Sequence, residues 1–112
     1  MWFLPELIGY LDSTLDAPVF TTVPEHRPSE CVSVVFSSSR SDRYTERPTV
    51  MFHCWAGSDL DAMELAYDLA DALFDFPAHS ANVSEAEQQS MYAAYDGGSP
   101  LWNVTFSFTI NR

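Results

Sequence analysis

Five carboxylates, Asp61, Glu64, Asp68, Asp71 and Asp75, recur at alternating spacings of three and four residues. On a helix that spacing sets them in one stripe. Such a stripe can repel a polyanion or attract a cationic surface. It suits a divalent cation poorly, because calcium loops converge oxygen ligands on a tight turn and a helix spreads them along an axis. The opposite charge gathers elsewhere: Arg40, Arg43 and Arg47 fall within one polar stretch, Ser37 to Arg47. These eight residues are the candidate interface residues.

Other chemistry is sparse. His26, His53 and His79 are isolated in sequence. His53 lies between Phe52 and Cys54, and adjacent strand residues point to opposite faces, so His53 and Cys54 make no nucleophile pair. His53 reads as a half-buried sheet histidine. Asp12 and Asp16 read as a solvated face at a helix end. Cys31 and Cys54 have no CxxC partner and make no metal site. If their segments form a hairpin about Ser41–Arg43, a cross-strand disulfide is geometrically thinkable; two reduced, partly buried thiols is the preferred reading. There is no P-loop, GxGxxG, GxSxG or HExxH. Gly97-Gly98 fits a hairpin turn better than a phosphate cradle. The expectation is a non-enzyme with no catalytic residue, no metal and no cofactor.

Composition narrows the class further. The 112 residues suit one domain with a single core. At 46% hydrophobic and 14% aromatic, the chain is too apolar to be disordered. The formal charge is −11, with five arginines and no lysine. Nucleic-acid binding through phosphates needs clustered cations, so it is disfavoured for the domain as a whole. No apolar run reaches the roughly 18–20 residues of a membrane span. The first residues, Met1 to Glu6, carry no basic residue and no small-residue cleavage site, so no secretory signal is expected.

The elements that must position these residues follow from periodicity. Leu4, Leu7, Ile8, Leu11 and Leu15 predict an amphipathic helix from about Pro5 to Leu15. It lacks the basic residues of a membrane-surface helix. Pro18 to Val23 predicts an edge strand; Pro24 and Pro28 bracket a turn holding His26 and Arg27. Cys31 to Phe36 predicts a strand. Ser37 to Arg47 is either a long hairpin loop or two extended hairpin arms reaching beyond the core. Thr49 to Ala56 predicts a central strand, with Val50, Phe52 and Cys54 on one face and Met51, His53 and Trp55 on the other.

Ser58 then caps the acidic helix, with Asp61 completing a capping-box-like pair. Pro77 is expected to stop this helix near Phe76. Leu60, Met63, Tyr67, Ala70, Leu73 and Phe74 are expected to hold it to the fold. Ala78 to Glu87 reads as a connector with a short strand near Val83, and Gln89 to Tyr95 as a strand. From Leu101 to Asn111, Trp102, Val104, Phe106, Phe108 and Ile110 alternate with polar residues. The sum is an α+β domain: four to five mostly antiparallel strands, with two helices on the face to which Trp102, Phe106 and Phe108 point.

The layout resembles the small tail terminator (tail completion, minor tail) proteins of long-tailed bacteriophages. The match is an order of elements over nearly the whole chain. It runs from the helix Leu4–Leu15 through the proline-flanked strand Pro18–Pro24 and the strand Val32–Phe36 with its polar loop. The strand and turn from Val50 to Ser58, the alanine-rich helix Ala62–Leu73 and the aromatic strand Trp102–Arg112 complete it. The strong acidity and the missing lysines depart from the family pattern.

The resemblance implies a single tail-terminator-like domain over residues 1–112. Copies would form a ring, commonly a hexamer, that caps the tail tube, stops its polymerisation and joins the head through connector proteins. DNA would pass through without specific binding. The protein would be made in the host bacterial cytoplasm and reside in the virion, at the head-proximal end of the tail, with no membrane contact. On that reading Arg40, Arg43 and Arg47 contact a neighbouring subunit or the tube, and the acidic stripe is their partner or lines the lumen. The alternatives are a head-completion or neck (head–tail connector) protein, and an acidic inhibitor that mimics DNA.

Overall fold

The computed structural model describes residues 3–22, 28–96 and 98–111, with the backbone alone at Phe36, Ser37, Tyr95 and Asp96. The expectations for Val23, Pro24, His26, Arg27, Gly97 and Arg112 fall outside these residues. The elements are α1 (Leu4–Thr14), β1 (Val19–Phe20), β2 (Cys31–Ser41), β3 (Thr45–Trp55), α2 (Asp59–His79), β4 (Val83–Asp96) and β5 (Ser99–Asn111). They form one five-stranded sheet in the order β1-β2-β3-β5-β4. The two-residue β1 runs parallel to β2 at the edge; every other pairing is antiparallel. This is the α+β fold expected from the sequence, with β3 central.

The core lies between the helices and one face of the sheet. Val50, Phe52 and Cys54 of β3 and Val104, Phe106, Phe108 and Ile110 of β5 all point into it. The helices answer with Leu7 and Leu11 from α1, and Leu65, Leu69, Leu73 and Phe76 from α2. Phe108 sits at the centre of an aromatic group, its ring 5.7 Å from Phe3, 6.2 Å from Phe76 and 6.2 Å from Phe106. Pro5 occupies the first turn of α1, where its missing N–H lacks a helical acceptor in any case. Tyr10 ties α1 to α2: its hydroxyl donates to the Ala72 carbonyl at 2.8 Å, and its ring lies tilted against Phe76 with centroids 5.1 Å apart.

The polar stretch from Ser37 resolves into the extended arms of a hairpin. β2 and β3 pair out to Ser41↔Glu46, and only residues 42–44 turn. A register shift between Phe36 and Ser38 lies in this outer half of β2. The β4–β5 hairpin closes at Asp96↔Ser99, and Gly98 takes φ +85°, a conformation that favours glycine.

Three details differ from the sequence reading, and one alternative it left open, a disulfide in place of the preferred reduced thiols, is excluded. Pro77 does not end α2, which continues to His79 with the proline in its last turn. A proline there removes one helical hydrogen bond and no more, since few residues follow. The expected connector Ala78–Glu87 is strand in its second half: the short strand expected near Val83 is the start of β4, which runs on through the separate strand expected from Gln89. Its register shifts at Val83/Glu85 and Gln88/Ser90 break the alternation that marks a strand. The cross-strand disulfide is excluded. Cys31 pairs with Trp55 and Cys54 with Val32, so the two thiols face opposite sides of the sheet, both fully buried and neither in a disulfide. Lastly, of the six apolar residues expected to hold α2, Ala70 and Leu73 are buried, Met63 is half-buried, and Leu60, Tyr67 and Phe74 are exposed.

Candidate interaction surface

Helix α2 has three faces, not two. At about 3.6 residues per turn, Ala62, Leu65, Ala66, Leu69, Ala70, Ala72, Leu73 and Phe76 form the buried one. The small alanines let this face approach the sheet closely. Asp61, Glu64, Asp68, Asp71 and Asp75 form a second, all exposed, as their spacing predicts. Ser58 fixes where the helix begins: its Oγ accepts the Asp61 N–H at 3.2 Å.

The third face was not legible as such. Leu60, Tyr67 and Phe74, seven residues apart, make an exposed apolar row beside the acidic one, 59, 55 and 52% accessible. Phe74 leans an edge on Phe106, with ring centroids 5.0 Å apart. The apolar arc of α2 is wider than a sheet can cover, so one border of it stays in solvent. The signal in the sequence was the spacing 60, 67, 74, which a search for core residues assigns to the core.

Three of the acidic residues, Asp68, Asp71 and Asp75, border a cleft of about 320 Å³ between α2 and the end of α1, to which Asp16 and Glu30 add two more carboxylates. Burial, then the charge of Asp75, raises the Tyr10 phenol above its ordinary 10.0. Among the described residues no group of three or more His, Cys, Asp or Glu side chains could hold a metal ion. No helix among them is long and apolar enough to cross a membrane.

The arginines lie apart from this helix. Arg40 and Arg47 pair directly across β2 and β3. Arg47 alternates with the buried Pro48, which places both arginines on the sheet face away from the helices. There they line a groove with Thr49, Ser107 and Thr109. Arg43 is in the turn, next to Tyr44, which is 69% exposed. Within the chain the structure therefore does not bring the arginine cluster to the acidic stripe. None of the three arginines forms an ion pair with another described residue.

Asp42 holds the turn. Its Oδ1 accepts the N–H of Tyr44 at 2.8 Å and of Thr45 at 2.8 Å, and its Oδ2 accepts the Thr45 hydroxyl at 3.0 Å. These bonds to the ionised form, the Tyr44 amide first, hold its carboxyl below the ordinary 3.8, with a small further push from Arg47. A depressed folded-state value means the contribution is present above 3.8 and is lost as pH falls through the folded value. The Tyr44 and Thr45 amides are thus expected to lose hydrogen-exchange protection on acidification below pH 3.8, before the core strand amides do. Protection unchanged in Asp42→Ala at neutral pH would contradict this.

The sheet face away from the helices is open over much of its area. Trp55 is buried there with Cys31 and Leu101, its indole N–H donating to Ser33 Oγ at 3.4 Å. His53 is half-buried beside it, its ring centroid 6.1 Å from that of Trp55. Val35 and Tyr92 are exposed. Asn103 Oδ1 is the one buried side-chain polar atom among the described residues without a hydrogen-bond partner.

No protein-family model matches the chain, and no curated protein matches it at a significant level.

Proposed function

We propose that this chain is a structural protein of a long-tailed bacteriophage. It acts as a tail terminator: copies assemble into a ring that caps the tail tube, ends its polymerisation and offers the surface to which head connector proteins join. In this reading the chain is no enzyme and takes no cofactor. It belongs to the head-proximal end of the tail in the virion.

The observation that carries the reading is the separation of charge on one small domain. A hairpin exposes three arginines at one place, and a helix exposes a stripe of five carboxylates, Asp61 to Asp75, at another. Two distinct surfaces of opposite charge suit head-to-tail assembly of copies, which closes into a ring when the rotation allows. The net charge of −11 supports passage of DNA without binding, because an acidic wall repels phosphates. The exposed carboxylate row of α2 equally favours a second reading, an acidic mimic of DNA; the arginine hairpin speaks against it.

The test is polymerisation of a tail tube protein with and without the chain. Capping predicts shorter tubes that carry the protein at one end, visible by gold labelling in electron microscopy. Unchanged tube length and bare ends at excess protein would sink the reading. Binding to DNA-filled heads but not to tubes would replace it with the neck protein. Inhibition of a nuclease without tube binding would replace it with the mimic.

A further inference from the structure

We infer that the exposed apolar row of α2 receives the arginine hairpin of a second copy of this chain, joining copies head to tail. The inference rests on the reading of the chain as a self-assembling junction protein, and it names the two surfaces that meet.

The first surface is Leu60, Tyr67 and Phe74. Single exposed apolar residues are ordinary on any protein. These three stand in line along about 21 Å of helix, at about 1.5 Å per residue. The row is bordered on one side by Glu64 and Asp71. Its partner must therefore bring apolar or aromatic surface to the middle and positive charge to that edge.

The hairpin has this composition. Tyr44, the most exposed large hydrophobic side chain among the described residues, is in the turn beside Arg43, with Arg40 and Arg47 behind it. The hairpin also carries a cost that such a partner would relieve. Arg40 and Arg47 stand directly opposite each other, and like charges so placed destabilise a strand pair. Glu85 and Glu87 line the same groove as these arginines, yet neither forms an ion pair with them.

The two surfaces do not meet within one chain. Arg40 and Arg47 are on the sheet face away from the helices, and α2 covers the other. Because the surfaces differ, the contact is heterologous, so each copy offers one hairpin and one helix.

Two charge-reversed chains test this. One carries R40E, R43E and R47E in the hairpin; the other carries E64K, D68K and D71K on α2. The native chain is expected to self-associate reversibly in sedimentation at low ionic strength, at concentrations up to about 1 mM, and to dissociate as salt rises. Each reversed chain alone is expected to associate at least about 100-fold more weakly, since like charges now face each other. An equimolar mixture is expected to restore association, because each hairpin then meets a helix of opposite charge. Tyr67→Ser with Phe74→Ser is expected to weaken association in both the native chain and the mixture. Circular dichroism checks folding, and R43E and D71K alone replace any triple variant that does not fold.

A native chain that stays monomeric throughout, a reversed chain that associates like the native one, or a mixture that remains monomeric would each overturn the inference. The tube assay separates it from the capping reading. Restored association without capping overturns the capping reading and leaves the contact standing. Capping by the monomeric hairpin variant overturns the contact and leaves the capping reading standing.

Discussion

Phe108→Ala is expected to lower the free energy of unfolding by about 3–5 kcal/mol, the usual cost of deleting a buried phenyl ring. The Phe108 side chain is 1% exposed. Its ring touches one aromatic partner on each of three elements: Phe3 before α1, Phe76 on α2 and Phe106 on β5 itself. No single neighbour can move in to refill the space, because each is anchored on a different element. Small domains hold roughly 5–15 kcal/mol in total, so the variant should be marginal at room temperature. Urea unfolding followed by tryptophan fluorescence measures this directly. Tyr92→Ala is the control: that ring is half in solvent on the open sheet face, and its loss should cost less than about 1 kcal/mol. Comparable losses at the two positions would mean that the core does not lie where the fold places it.

The thiols should be silent to alkylating and disulfide-forming reagents until the protein unfolds. Cys54 and Cys31 are both fully buried. Burial, and secondarily the neighbouring Cys31, pushes the Cys54 thiol well above its ordinary 9.0, away from the reactive thiolate. If only the unfolded chain reacts, a stability of at least about 5 kcal/mol slows labelling by roughly 10³-fold or more. Labelling rates measured against urea should therefore converge on the unfolding curve for both residues. An oxidant should leave the pair unlinked in the native state. Rapid labelling of either thiol in the absence of urea, or a disulfide between them, would contradict the register that sets them on opposite faces.

Much of this was legible in the chain because it is encoded over short distances. The alternation along β5, the hairpin at Gly98 and the i, i+3, i+4 pattern of α1 each depend on the backbone period alone. So does the acidic stripe from Asp61 to Asp75, which turned out exposed throughout. The failures came where a longer-range partner decides. Nothing near Ser37–Arg47 says whether it loops or pairs; that is settled by β2 and β3 meeting residue by residue. Edge strand β4 hides its period behind two register shifts, which exist only relative to β5.

By itself, the sequence determined the fold class, the direction of each side chain around its own helix or strand, and the clustering of opposite charge into Arg40–Arg47 and Asp61–Asp75, since these follow from residue type and spacing. Only the tertiary structure decided that Cys31 and Cys54 point apart, that Leu60, Tyr67 and Phe74 are left in solvent, and that the arginines face away from α2. The reason is common to all three. Spacing fixes where a side chain sits around its own helix or strand, but which of those directions is covered depends on the element packed against it.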